Sequence, residues 1–347
     1  MSFVTLRGGR RVGDYLKPYI VAEINTSHFG DIEIAKRMIE KAKDVGCDCV
    51  KFQSWSADTL YGEGYYKSNL IAKRMVVKFS LNENELFSLS EYANYLGIDF
   101  ASTPYSIEEA KFLVDKCGVP FIKVASMELN HLSYLSKLSG LGVPIVLSTG
   151  MGLLEEIYQA VDVIKKGGNE NIVILHCTSV YPAPVDSIRL QNIPGLRSEF
   201  PLCPIGYSDH SDGAEISVAS VALGACIIEK HFTLDNSRIG MDNQMATEPE
   251  ELRAMIKSCH SVYEAMGGFS RILSQEEKEQ ASKMRRSMIA KVNLIAGQKL
   301  LEGDIEFKRP GTGISPNNSS SFIGKTMNQS IEVGSVLLPE YFLSDSD

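Results

Sequence analysis

Two short apolar runs of the 347-residue chain, "PIGYSDH" over 204–210 and "CIIEKH" over 226–231, both finish on a histidine. Side chains alternate across a strand, so Ser208 shares a face with His210, and Glu229 shares one with His231. Two imidazoles brought to one layer could hold a divalent cation and leave coordination positions open for a substrate to be activated. The same alternation pairs Glu23 with Asn25, Lys51 with Gln53, and Ser179 with Tyr181. Lys51 and Lys123 stand in runs that read as buried, where an ammonium needs an anionic partner or catalytic work. Together with Thr103, Ser126, Ser148 and Ser208 they form a ring of ammonium and hydroxyl groups suited to a phosphate. Glu23 and Glu128 are the carboxylates left for proton transfer or for gripping sugar hydroxyls. His28, His131, His176 and His260 lack such placement and read as structural.

Groups scattered over 200 residues must be gathered by the fold. Eight apolar runs read as strands: 19–25, 47–54, 97–105, 120–126, 144–150, 171–182, 204–210 and 226–233. Segments with helical periodicity fill the gaps, several ending on glycine, the residue that most easily closes a helix. Residues 56–74 are polar at first and read as a loop over a site. Eight buried strands alternating with helices point to a (β/α)8 barrel, an architecture that places chemistry at the C-terminal ends of its strands. After about residue 270 the texture changes to short β-like pieces punctuated by Gly, Pro and Asn. The expected organisation is a barrel over 1–272, a charged linker over 273–287 and a small β-rich domain over 288–347.

Composition narrows the function. A formal charge of −8 argues against a nucleic-acid partner. No apolar run reaches membrane-span length, and the first twenty residues lack the apolar core of a signal peptide. Seven cysteines, several inside apolar runs, fit buried thiols in a reducing cytoplasm.

The motifs "AEIN", "VKFQ", "STPYS", "IKVASMELN", "LSTGM", "HCTSVYPAP", "GYSDH" and "IEKHFTLD", in this order, resemble the sialic acid (nonulosonate) synthase family. The later "FKRPGTGI" and "IGK" are similar to the antifreeze-like (SAF) domain of that family. The resemblance implies condensation of phosphoenolpyruvate with an N-acylated aldohexose, N-acetylmannosamine first, to a nine-carbon α-keto acid and phosphate. It implies His210 and His231 as metal ligands, for Mn2+ with Mg2+ or Co2+ as alternatives. It makes Lys51, Thr103, Lys123, Ser126, Ser148 and Ser208 contacts of phosphoenolpyruvate. Glu23, Gln53, Glu128, Tyr181 and Asp242 would line the sugar and the reacting carbons, with Asn69 and Ser179 as further substrate contacts. Arg309 would reach the N-acyl group from the partner subunit in a domain-swapped homodimer.

Two departures bear on the sugar. Ala125-Ser126-Met127-Glu128 replaces the Gly-Ser-Gly-Glu common in the sialic branch, and Ser179 replaces an Asn. Both lean toward a pseudaminic-acid type of substrate, and a di-N-acetylated sugar of the pseudaminic or legionaminic kind is the alternative. Two rival readings are a Schiff-base aldolase using Lys123 or Lys51 as the amine and a non-catalytic binding protein suggested by the tail.

Overall fold

The computed structural model describes residues 2–343. A short antiparallel hairpin, β1 (Phe3–Thr5) and β2 (Arg11–Gly13), precedes eight parallel strands. These are β3 (Tyr19–Glu23), β4 (Cys49–Ser54), β5 (Asp99–Pro104), β6 (Ile122–Val124), β7 (Ile145–Ser148), β8 (Ile172–Cys177), β9 (Ile205–Asp209) and β10 (Ile227–His231). Their order is β5-β4-β3-β10-β9-β8-β7-β6, and β5 lies against β6 without a ladder, so the sheet forms a nearly closed barrel. All eight predicted strands are present.

Alternation explains why the strands are buried on both faces. Outward residues such as Ile20, Ala22, Val50, Phe52 and Ile174 pack under the helices. Inward residues near the strand starts, among them Val21, Cys49, Ala101, Phe121, Val146 and Leu175, form a second core with Val4, Leu6 and Val12 of the hairpin. The hairpin therefore plugs the lower end of the barrel, and the open end is the one where the strands finish.

The helix Ile32–Val45 shows how local sequence sets these elements. Asp31 caps it by accepting from the amides of Glu33 and Ile34, and Gly46 ends it at φ 99°. Ala35, Met38, Ile39, Ala42 and Val45 recur at helical spacing and are the residues it buries. The segment read as a loop over 56–74 instead falls in three helices, Ala57–Leu60, Glu63–Ser68 and Leu70–Phe79. Capping outweighs its polar composition: Ser56 and Thr59 form a reciprocal box, and Asn69 caps the third helix.

A second compact unit starts at Gly268. Its antiparallel pair, β11 (Ser287–Ala290) and β12 (Ile305–Lys308), packs in a core that includes Met288, Leu294, Leu300, Ile314, Met327 and Leu337. The stretch expected to be a plain linker contains the helix Gln275–Met284, capped by Ser274. That helix belongs to this unit, because the Gly311 amide donates to the Ser282 carbonyl at 2.7 Å. A Cβ on Gly311 would stand 2.8 Å from the Ala281 oxygen, so only glycine permits this approach.

Candidate active site

Two residues beyond the apolar inward layer, the same strands turn polar. Glu23, Lys51, Thr103, Lys123, Ser148, Ser208 and Glu229 all project into one cavity at the open end of the barrel. Strand register fixes the neighbours: Glu23 lies opposite both His231 and Lys51, and Ser208 lies opposite Glu229. These groups are almost fully buried, with Lys51 and Ser208 at 2% exposure and Lys123 at 4%.

The charges are arranged as a small lattice. Lys51 Nζ pairs with Glu23 Oε2 and stands 3.7 Å from Glu229 Oε2, while Lys123 Nζ stands 3.7 Å from Glu229 Oε1. Lys51 also donates to Thr103 Oγ1 at 3.1 Å, and Ser208 donates to Glu229 at 3.0 Å. Gln53 donates to Glu23 Oε1 at 3.0 Å and accepts from the Tyr105 hydroxyl at 3.1 Å. Burial opposes the charge on Glu229, yet the two lysines hold its pKa down to about 2. Burial likewise opposes Lys51, and Glu229 with Glu23 overcomes it and lifts its pKa above the usual value. Lys123 goes the other way, because burial outweighs the pull of Glu229. Burial raises Glu23 in spite of Lys51.

One hydroxyl is left over. Ser148 Oγ is buried and has no hydrogen-bond partner among the described residues. A buried donor without a partner costs about 1–3 kcal/mol, which a ligand oxygen would recover.

His210 and His231 line the same cavity with ring centroids 5.4 Å apart. Nδ1 of His210 lies 2.8 Å from the Thr178 carbonyl, so its proton belongs there and Nε2 keeps its lone pair for a ligand. Burial and the nearby His210 push His231 well below its usual pKa. Burial also works against a charged His210, but Cys177, with Sγ 3.9 Å away, lifts its pKa. Among the described residues no third His, Cys, Asp or Glu completes a protein-only metal cage. The donor set thus fits a divalent ion held by two imidazoles, with its other positions left to water or substrate oxygen.

Twelve of the sixteen sequence-predicted site residues line this cavity: Glu23, Lys51, Gln53, Thr103, Lys123, Ser126, Ser148, Tyr181, Ser208, His210, His231 and Asp242. Four do not. Glu128 lies in the turn Ser126–Glu128 and pairs with His131 at 3.0 Å. Ser179 lines an adjacent cavity beside Thr178 and Val180, because β8 ends at Cys177 and the two-residue alternation ends with it. Asn69 serves as a helix cap, its Oδ1 accepting from the Ala72 amide at 3.0 Å. Arg309 is exposed on the second unit.

The sequence assigns no role to other members of the wall, chiefly Glu229, Asn25, Tyr105 and Cys177. Glu229 had a signal, since it shares a strand face with His231. Asn25 sits at φ 45°, an uncommon conformation that aims its amide at Asp242 Oδ2, 2.5 Å away.

Comparison with known proteins agrees with this geometry. Residues 38–271 match the NeuB family and residues 285–342 match the SAF domain. The N,N'-diacetyllegionaminic acid synthase of Campylobacter jejuni is 38% identical over 320 residues, covering 89% of this chain and 95% of that one. The human N-acetylneuraminate-9-phosphate synthase is 33% identical over 342 residues, covering 96% and 94%. The crystal structure of N-acetylneuraminic acid synthetase from Leptospira borgpetersenii, in complex with citrate, superposes with a TM-score of 0.74 at 31% identity, covering 80% of this chain and 96% of that one. The chain belongs to the NeuB family, with a SAF domain following its barrel.

Proposed function

We propose that this protein is a nonulosonate synthase, joining phosphoenolpyruvate to an N-acylated aldohexose, N-acetylmannosamine first, with release of phosphate. The observation that carries the reading is the convergence of Lys51, Lys123 and the partnerless Ser148 hydroxyl on one buried cavity faced by two imidazoles. An anion entering there meets two ammonium groups already desolvated, and Thr103 and Ser126 add further hydroxyls.

His210 and His231 would hold the divalent ion, Mn2+ first and Mg2+ or Co2+ as alternatives. Such an ion supplies Lewis acidity toward the sugar's aldehyde oxygen. Lys51 and Lys123 hold the phosphate and carboxylate of phosphoenolpyruvate so that its C3 faces the sugar's C1. A C3–C1 bond forms, water adds at C2, and the C2–O bond breaks to release phosphate and leave the keto acid. Glu23 is the group to handle the water's proton: its carboxyl is buried, its pKa is raised, and Gln53 orients it. Glu128, engaged with His131, is the weaker candidate.

Two features support a dimer in which Arg309 completes the partner's sugar site. No arginine lines the barrel cavity among the described residues, and Arg309 is exposed on the SAF unit. Mixing Arg309→Ala with His231→Ala protein should then restore activity once subunits exchange. No helix among the described residues is long and apolar enough to cross a membrane, and all seven cysteines are free, which supports a cytoplasmic location.

A second reading of the substrate, a di-N-acetylated sugar, draws support from the legionaminic relative at 38% identity. Assay of phosphate release with phosphoenolpyruvate, Mn2+ and a panel of mono- and di-N-acylated hexoses tests the proposal and ranks the sugars. Borohydride trapping of pyruvate on Lys123 or Lys51, with no phosphate released, would instead make the protein a Schiff-base aldolase.

A further inference from the structure

On the outer face of the barrel, directly behind the two histidines, lies a buried ion pair that contacts neither the cavity nor solvent. Asp209 and Lys230 are in register on β9 and β10, and each immediately precedes one of the histidines. They are 0% and 2% exposed, with Lys230 Nζ 2.9 Å from Asp209 Oδ2. The Asp209 carboxylate accepts four further hydrogen bonds: from the Ser211 amide at 2.8 Å, the Ser211 hydroxyl at 2.6 Å, the Ser217 hydroxyl at 2.5 Å and the Tyr207 hydroxyl at 3.2 Å. Lys230 in turn donates to the Ser211 carbonyl at 2.5 Å.

β9 stops at Asp209, so His210 stands just past the end of the ladder. The ion pair replaces that ladder. It secures both polar groups of the Ser211 backbone, ties them to β10, and anchors the same carboxylate to the helix Glu215–Ala222 through Ser217. His210 is thereby clamped between two fixed residues, and its own carbonyl accepts from the Ala183 amide at 2.8 Å. A fully buried pair of this kind yields little net stability over apolar residues of similar volume. What it does supply is a fixed separation between two strand ends.

We propose that Asp209 and Lys230 are positioning residues that set the spacing and orientation of His210 and His231 for the divalent ion. This rests on the metal reading above, and the test separates the two. Mn2+ affinity of the full chain is measured by electron paramagnetic resonance, beside the imidazole 15N resonances of His210 and His231 in the metal-free protein. Asp209→Asn and Lys230→Met are expected to raise the Mn2+ Kd about 10- to 100-fold, as loss of a supporting partner does at metal sites. Both should also shift the two imidazole resonances, and Lys230→Arg should partly restore them.

The control is Asp14→Asn, which breaks the pair of buried Asp14 with half-buried Arg197 (3.0 Å) beneath the barrel. It should lower Tm while leaving Kd and the resonances unchanged. If Asp209→Asn does not fold, Ser217→Ala, which removes one donor, is expected to move the same readouts by a smaller amount. Folded variants with wild-type Kd and unmoved resonances overturn the proposal. If wild-type protein binds no Mn2+, the metal reading falls, and the imidazole resonances alone decide whether the pair positions the histidines.

Discussion

The lower and upper halves of the barrel interior are built on the same strands and the same face, two residues apart. Val21 gives way to Glu23, Cys49 to Lys51, Ala101 to Thr103, Phe121 to Lys123, Val146 to Ser148, and Ile227 to Glu229. The lower layer is apolar, closed by the hairpin, and gains its stability from burial. The upper layer buries two lysines and two glutamates, whose mutual attraction does little more than offset their desolvation. Fold and chemistry are thus divided along the barrel axis, and each half can be perturbed alone.

The largest expected effect belongs to the lower half. Leu175→Ala removes a fully buried side chain from the inner core and should cost about 2–5 kcal/mol in chemical denaturation. Activity per folded molecule should stay at the wild-type level; a matching loss of kcat/KM would show that the two halves are not separable.

A buried titratable group outside the charge lattice comes next. His28 packs on Phe52, its Nδ1 accepts from the Gly30 amide at 3.0 Å, and burial pushes its pKa down to about 4. An unfolded histidine titrates near 6.5, so the unfolded chain takes up the proton first and stability falls with acidification. The full contribution is present above about pH 6.5, and up to about 3 kcal/mol is lost as the pH drops toward 4. His28→Gln should flatten that part of the stability–pH curve; an unchanged slope would mean another group is responsible.

In the upper half, Lys123→Met should lower kcat/KM for phosphoenolpyruvate about 10- to 100-fold, the worth of one charge-assisted hydrogen bond. The sugar's KM should hold steady, and a rise confined to the sugar would reassign the lysine. The smallest effect is expected at Ser148. Its hydroxyl has no partner to lose, so Ser148→Ala should leave Tm unchanged or slightly higher. The KM for phosphoenolpyruvate should rise by up to about tenfold. A stability loss without a KM change would make the serine structural.

Where period-two alternation governs, the sequence was readable. Apolar runs marked all eight strands, and alternation put Glu23, Lys51, Ser208, His210 and His231 on the face that lines the cavity. Alternation gives no placement where the chain leaves the strand. Ser179 lies past the end of β8, Glu128 sits in a tight turn, and Asn69 caps a helix in a segment whose polarity suggested a loop. Tyr105 reaches Gln53 across 52 residues of sequence, a contact that no local pattern reports. Glu229 was visible on the right face, but its role depends on two lysines from other strands, and only the closed barrel brings them within 3.7 Å.

The account stands most directly on phosphate release by the full-length protein given phosphoenolpyruvate, Mn2+ and an N-acylated hexose, measured side by side for wild type, Leu175→Ala and Lys123→Met. It predicts one phosphate per keto acid formed by wild type, the same rate per folded molecule for Leu175→Ala, and a rate at least tenfold lower for Lys123→Met at limiting phosphoenolpyruvate. No phosphate from wild type with any sugar of the panel, or an undiminished rate with Lys123→Met, would contradict it.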